Sequence, residues 1–330
     1  MPLVSVRSVL PPGLRLNAVA RVFGCLGLLA VGLLCVLSQS AVAGRFDYEL
    51  RPRQVAPDTW LVEGRRESFS TTNGGNIVNV AFIVTDAGVV LFDTGPSLRF
   101  GQQLRHAIAR ITDKPVVLVI NSHAHPDHFL GNQAFADVSI GALSGTTTQI
   151  TQNGDSFATS LYGLTGDWMR GTEVVVPAEL PPDNPLILGG HRLRFLAFEG
   201  HTGADLVMLD ETTGVLFAGD LVFYQRALTT PQTPGLAHWR AELDQLAQLD
   251  YRLLIPGHGP LDDTRQAINQ MQDYLAWLDA TLSRAARQGL TMTQVMALPI
   301  DPRFDAISLT RYEFSRSVAH LYPGYEEAAF

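Results

Sequence analysis

The chain has 330 residues, 46% of them apolar and 17% charged, and 32 acidic side chains against 24 basic ones give a net charge of −8. An acidic chain without a basic run is a poor match for nucleic acid or an anionic membrane surface, and neither is expected as a partner. No internal repeat and no low-complexity linker interrupts it.

Residues 1–43 carry Arg7, Arg15 and Arg21 and no acidic residue, followed by an apolar run from Val22 to Leu37. Its 16 residues fall short of the roughly 20 that a spanning helix needs. Ala41-Val42-Ala43 then offers the small-x-small pattern for cleavage before Gly44, so the segment reads as a secretory signal peptide, with an uncleaved anchor as the alternative. Cleavage predicts a periplasmic or secreted protein with no membrane attachment. It also removes Cys25 and Cys35, leaving residues 44–330 without a thiol, and takes the net charge from −8 to −11. The remaining 287 residues suit one layered α/β domain.

Strand signals begin at Thr59–Val62. Ile77–Thr85 and Val89–Phe92 flank Asp86-Ala87-Gly88, a hairpin pattern, and the second run ends at Asp93-Thr94-Gly95. Leu98, Leu104, Ala107, Ile108 and Ile111 recur at helical spacing, and Val116–Ile120 is strand-like. Directly after it stands Asn121-Ser122-His123-Ala124-His125-Pro126-Asp127-His128. Three imidazoles and a carboxylate in six positions supply the nitrogen and oxygen donors that suit a borderline cation such as zinc. Alternate side chains of an extended segment share a face, so His123 and His125 can meet one ion while Asp127 and His128 meet a second. Helix capping near Asn132 is the bland alternative.

A polar helical stretch follows between Ser144 and Gly171, with Trp168 and Met169 read as packing rather than as a lid, and Pro177–Pro185 reads as a loop. Further strand-like runs lead to Gly200-His201-Thr202-Gly203, Gly219-Asp220 and Pro256-Gly257-His258-Gly259. Five apolar runs thus end at loops carrying Asp93, the histidine cluster, His201, Asp220 or His258. Ligands gather at strand ends in α/β sheets, so these loops are expected to converge. Beyond Pro260 the pattern is helical, with Gln266–Arg287, Met292–Met296 and Leu309–Leu321 forming a C-terminal cap over 261–330. His106 reads as a surface or boundary residue, and His191, His238 and His320 as structural.

With His123-x-His125-x-Asp127-His128, Gly-His201-Thr-Gly, Gly-Asp220, Pro-Gly-His258-Gly and Phe-Asp93-Thr-Gly in this order, the chain resembles the metallo-β-lactamase superfamily. The resemblance covers roughly Asp47 to Pro260 and implies an αββα sandwich with metals at one edge. Gly74–Asn79, Gly166–Val175 and Ser317–Pro323 are similar to the branch called quinoprotein relay system zinc metallohydrolases, which implies association with periplasmic PQQ-dependent dehydrogenases. Carried over by position, His123, His125 and His201 hold one zinc, Asp127, His128 and His258 a second, and Asp220 bridges two zinc ions per chain. Asp93 orients a ligand histidine or its loop, and Asp127 helps orient the attacking water. The implied reaction is hydrolysis of an ester, thioester, lactone or amide of a small-molecule substrate by a water whose pKa the metals lower to about 7. Three other readings stay open: an iron-dependent sulfur dioxygenase, a β-lactamase, and a non-catalytic metal-binding accessory of quinoprotein dehydrogenases. For a β-lactamase, Arg226 is the nearest cationic candidate for a drug carboxylate, and it reads as a surface residue. Substrate-facing loops are expected around Thr72–Asn76, Trp168 and Tyr224, with packing an equal alternative for each.

Overall fold

Two mixed β-sheets carry the structure, a computed structural model that describes residues 46–182 and 185–329. The expected signal peptide and both cysteines lie outside the described residues. The first sheet has seven strands in the order β1 to β7: Arg53–Ala56, Thr59–Val62, Val80–Thr85, Gly88–Phe92, Val116–Ile120, Ser139–Ala142 and Ala178–Glu179. The second has five, in the order β12, β11, β10, β9, β8, where β8 is Leu186–Leu188, β9 His191–Phe198, β10 Asp205–Asp210, β11 Val215–Phe223 and β12 Leu253–His258.

Chain chemistry explains the topology. The β3–β4 hairpin closes where the Thr85 hydroxyl donates to the Gly88 carbonyl at 2.7 Å, and the two strands pair antiparallel. β4 and β5 pair parallel and therefore need a crossover, which α1 (Leu98–Ala109) supplies, started by Ser97 accepting from the Phe100 amide at 3.1 Å. In the second sheet β11 and β12 are likewise parallel, with α4 (Leu236–Ala247) between them. The short α2 (Pro126–Phe129) and the 22-residue α3 (Ser144–Thr165) complete the first half. The second half ends in α5 (Gln266–Arg287), α6 (Met292–Met296) and α7 (Thr310–Ala329).

The facing sides of the sheets bury Ile83, Val90, Phe92 and Ile120 against Phe195, Leu206, Met208 and Phe217. The outer side of the second sheet packs Val207, Leu209 and Leu216 on Trp239, Leu243, Leu275, Leu278, Phe314 and Tyr322 of the helices. This is the αββα sandwich, and α5 and α7 form one of its layers. Each fully buried large aliphatic or aromatic side chain contributes roughly 1.5–3 kcal/mol. Among the described residues, no helix is long and apolar enough to cross a membrane.

Three expectations shift. Ser139–Ala142 and Ala178–Glu179 are strands, too short for periodicity to reveal, and the second lies within the expected Pro177–Pro185 loop. A helical turn already starts inside the histidine cluster, at Pro126, and the expected helix near Asn132 is a 3-10 turn over Leu130–Phe135. Asp220 lies inside β11 rather than in a loop after it.

Candidate metal centre

The two sheets deliver their functional residues to one place. From the first sheet, β4 leads to Asp93 and β5 to the segment His123–His128; from the second, β9 leads to His201, β11 contains Asp220 and β12 ends on His258. Their donor atoms form two adjoining groups, His123, His125, His201 and Asp220 in one and Asp127, His128 and His258 in the other, each with its donors within 4.8 Å of one another.

In the first group, His125 Nδ1 lies 2.9 Å from His123 Nε2 and 2.8 Å from His201 Nε2. The extended backbone at His125, with φ −80° and ψ 144°, turns two side chains two residues apart onto one point. In the second group, His258 Nε2 is 3.4 Å from Asp127 Oδ2, and His128 Nε2 is 3.8 Å from the same oxygen. Asp220 stands between them. Its Oδ2 is 3.4 Å from His201 Nε2 and 3.8 Å from His123 Nε2, while Oδ1 is 3.2 Å from His128 Nε2 and 3.3 Å from His258 Nε2.

The residues behind these donors fix which nitrogen is free. Asp93 Oδ2 is 2.8 Å from His128 Nδ1, and the Ser122 hydroxyl and amide donate to the two Asp93 oxygens, each at 2.8 Å. Ser122 Oγ also lies 2.9 Å from His123 Nδ1. His258 Nδ1 donates to the Ile77 carbonyl at 2.8 Å. Partners of this kind hold the tautomer and ring orientation of a ligand and raise its basicity. Asp93 adopts φ 62°, a left-handed conformation that aspartate tolerates better than most residues. Gly257 is required for space: a Cβ there would stand 1.9 Å from Asp220 Oδ1.

Sequence reasoning missed two supports. Asp205 accepts from the His201 amide at 2.8 Å and the Thr202 amide at 2.9 Å, and burial pushes its carboxyl up to about 7. Asn79 anchors the His258 loop by donating to the Pro256 and Gly259 carbonyls at 2.9 and 2.7 Å. Asp205 follows the Gly-His-Thr-Gly motif by two residues, and that proximity was the available signal.

Burial, reinforced by neighbouring histidines, holds His123 and His201 well below the usual imidazole range and His125 at about 4 despite the opposing carboxylates. Burial also opposes protonation of His128, but Asp220, Asp93 and Asp127 overcome it and hold that ring well above the usual range. Asp220 feels the same burial, and the His258 and His128 rings pull it well below the carboxylate range. Asp127 Oδ2, His128 Nε2 and Asp220 Oδ1 are buried without a hydrogen-bond partner. Unsatisfied buried polar atoms are destabilising, and a divalent cation satisfies nitrogen and oxygen lone pairs together, so these residues fit a metal.

The sequence model of the Metallo-beta-lactamase superfamily matches residues 73–258. The chain belongs to this superfamily. Among curated relatives of this metallo-β-lactamase-fold chain is the linear primary-alkylsulfatase of Pseudomonas sp., 21% identical over 287 residues that cover 72% of this chain and 54% of the relative. The chain thus spans about half the length of that protein. The acyl-coenzyme A thioesterase MBLAC2 of Bos taurus is 22% identical over 223 residues, covering 60% of this chain and 77% of the thioesterase. Among solved structures, a metallo-beta-lactamase from Pontibacter korlensis aligns with a TM-score of 0.55 at 22% identity, over 69% of this chain and 99% of that one. A double mutant of the sec-alkyl sulfatase PisA1 aligns with 0.64 at 18% identity, over 83% and 50% respectively. At these identities the structural likeness speaks for the fold.

The metallo-β-lactamase-fold centre opens into a cavity of about 280 Å³ whose wall includes His125, Asp127, Asp220 and His258. Phe69, Phe157, Leu161 and Leu164 line it, rather than the expected Thr72–Asn76, Trp168 and Tyr224. Trp168 packs on Gly74 and Tyr48, in keeping with its packing reading, and donates to the Thr71 carbonyl at 2.9 Å. Arg226 is not a surface residue: its side chain is 4% exposed, lies 3.2 Å from Glu313, and faces this cavity. His106, His238 and His320 are exposed, and His191 is buried against Asp210 at 2.8 Å.

Proposed function

We propose that the protein is an exported dinuclear zinc hydrolase acting on an ester, thioester, lactone, amide or sulfate ester of a small molecule. The observation that carries this reading is Asp220, whose two oxygens face two different sets of histidines. His123, His125 and His201 would hold one zinc and Asp127, His128 and His258 the other, with Asp220 shared; no thiolate is needed. Bound zinc supplies a water acidic enough to ionise near neutrality and an electrophile for the substrate's oxygen.

The chain's own residues do the rest. Asp127 Oδ2, buried and unpartnered, is placed to accept a hydrogen bond from the attacking water and orient it. Asp93, through Ser122 and His128, keeps the donors aimed without contacting substrate. The apolar wall formed by Phe69, Phe157 and Leu161 excludes bulk water and strengthens the electrostatics inside. Thioester and sulfate ester enter the substrate range because the curated relatives are named as a thioesterase and an alkylsulfatase.

The complete second group of donors favours two zinc ions over the single iron of a sulfur dioxygenase. The link to quinoprotein dehydrogenases rests on sequence stretches alone; in the fold, Asn79 and Trp168 from these stretches serve packing and loop support. The deciding experiment loads the mature protein with zinc and screens acyl-CoA thioesters, nitrophenyl esters, lactones, alkyl sulfates and nitrocefin, with Asp220→Ala as control. Turnover that disappears in Asp220→Ala supports the hydrolase. A zinc-loaded protein inert toward every class favours the accessory reading, and mass spectrometry of an exported chain beginning at Gly44 tests the location.

A further inference from the structure

The cavity over the metal donors has two unlike walls, and one comes from beyond residue 258, where the superfamily match ends. Phe157, Leu161 and Leu164 of α3 form an apolar side with Phe69. The first two turns of α7 add Tyr312, Glu313 and Arg316 to the lining, with Glu313 against Arg226.

Several bonds fix α7 in this position. The Ala227 amide donates to the Ser308 carbonyl at 2.9 Å and the Ser308 amide to the Gln225 carbonyl at 3.1 Å, continuing the chain after β11 against the segment that enters α7. Thr310 Oγ1 donates to the Ile307 carbonyl at 2.7 Å, and Thr230 and Ser317 share a hydroxyl contact of 3.0 Å. A charge on this turn is therefore held in place relative to the metal donors.

Glu313 Oε1 lies 3.2 Å from Arg226 Nη2, and Oε2 accepts from Arg316 Nη1 at 2.9 Å. Two guanidinium groups on one carboxylate leave one positive charge in surplus. The exposures divide the roles: Arg226 is 4% exposed, while the Arg316 side chain is 38% exposed and lines the cavity. One arginine suffices to neutralise the buried Glu313. The second keeps most of its five donors free, and the guanidinium fork matches a planar carboxylate or a sulfate.

We propose that Arg316 recognises an anionic group on an amphiphilic substrate whose apolar chain lies along α3, with Glu313 and, through it, Arg226 acting as positioning residues. This specificity rests on the reading of the cavity as the substrate site. The recognised chemistry is an oxyanion at one end of an aliphatic chain.

Calorimetric titration of the zinc-loaded protein with octyl sulfate, octanoate and 1-octanol tests it without requiring turnover. Octyl sulfate, octanoate or both should bind Arg316→Gln about tenfold more weakly than wild type, in a salt-dependent way, while 1-octanol binds both proteins equally and zinc content stays the same. Which anion responds separates a sulfate from a carboxylate preference. Arg316→Lys keeps the charge without the fork and should recover only part of the affinity; it also decides the matter if the glutamine variant folds poorly. Equal affinity of both anions for wild type and both variants overturns the proposal. A protein that binds octyl sulfate through Arg316 yet hydrolyses nothing refutes the hydrolase and leaves this recognition standing.

Discussion

Replacing Asp93 with asparagine isolates the contribution of a residue that is expected to touch neither metal nor substrate. Asp93 faces His128 Nδ1 at 2.8 Å and accepts from Ser122 Oγ and the Ser122 amide at 2.8 Å each. In Asp93→Asn, one carboxylate oxygen becomes an NH2 group. With the remaining oxygen kept on the Ser122 amide, that NH2 meets the His128 N–H, donor against donor. His128 resolves the conflict by moving its proton to Nε2, the atom that faces Asp127 and Asp220, and a protonated Nε2 cannot ligate. Loss of an orienting partner of this kind costs about 10- to 100-fold in metal affinity, or roughly 1.4–2.7 kcal/mol. The backbone is spared, because asparagine also tolerates the φ of 62° at this position. Competition with a chromophoric chelator should therefore show one ion held near wild-type affinity and a second held about 10- to 100-fold more weakly, with little change in metal-free melting temperature. Two ions bound with unchanged affinity would refute the role assigned to Asp93.

Gly257→Ala places a methyl 1.9 Å from Asp220 Oδ1 and 2.7 Å from the Gly219 carbonyl carbon; it should destabilise the fold by about 1–3 kcal/mol and release metal, as read by melting temperature and elemental analysis. Glu313→Gln strands the buried Arg226 and should cost about 3–5 kcal/mol in denaturant unfolding, whereas the double variant Arg226→Met with Glu313→Leu recovers most of it; equal losses in both would contradict a buried ion pair. In the metal-free protein, His125 has a folded-state pKa of about 4 against about 6.5 unfolded. The unfolded chain therefore binds more protons between those values, and stability falls as pH drops from about 6.5 to 4, by up to about 3 kcal/mol from this group. The raised pKa of His128 acts oppositely, favouring the protonated folded state below it and requiring proton release when metal enters the second group of donors. Stepwise acid dialysis should therefore strip the ion at Asp127, His128 and His258 before the one at His123, His125 and His201, and loss in the reverse order would contradict these assignments.

Much of the centre could be read from sequence because its donors occur as dense or glycine-flanked motifs at strand ends, and the strand rule placed Asp93, His123, His201 and His258 together before any geometry. Val116–Ile120 and Gln266–Arg287 coincide with β5 and α5, since a β-branched run and a long amphipathic period are strong local signals. What stayed hidden depends on distant partners. Arg226 follows a strand and precedes polar and proline-rich sequence, so nothing local reveals that Glu313, 87 residues later, buries it. Asp205 looks like an ordinary strand-start aspartate until its contacts with the His201 loop are seen. The cavity lining escaped for the same reason: Phe157 and Leu161 belong to a largely polar helix, whereas the conspicuous Trp168 is committed to packing.

The proposed function stands on two metal ions sharing Asp220. Elemental analysis of the protein purified from cells grown without metal supplementation tests it most directly, paired with the same measurement on Asp220→Ala. About two zinc ions per chain are expected in the wild type, with loss from both groups of donors in the variant. One iron per chain, or an Asp220→Ala protein that keeps both zinc ions, would contradict it.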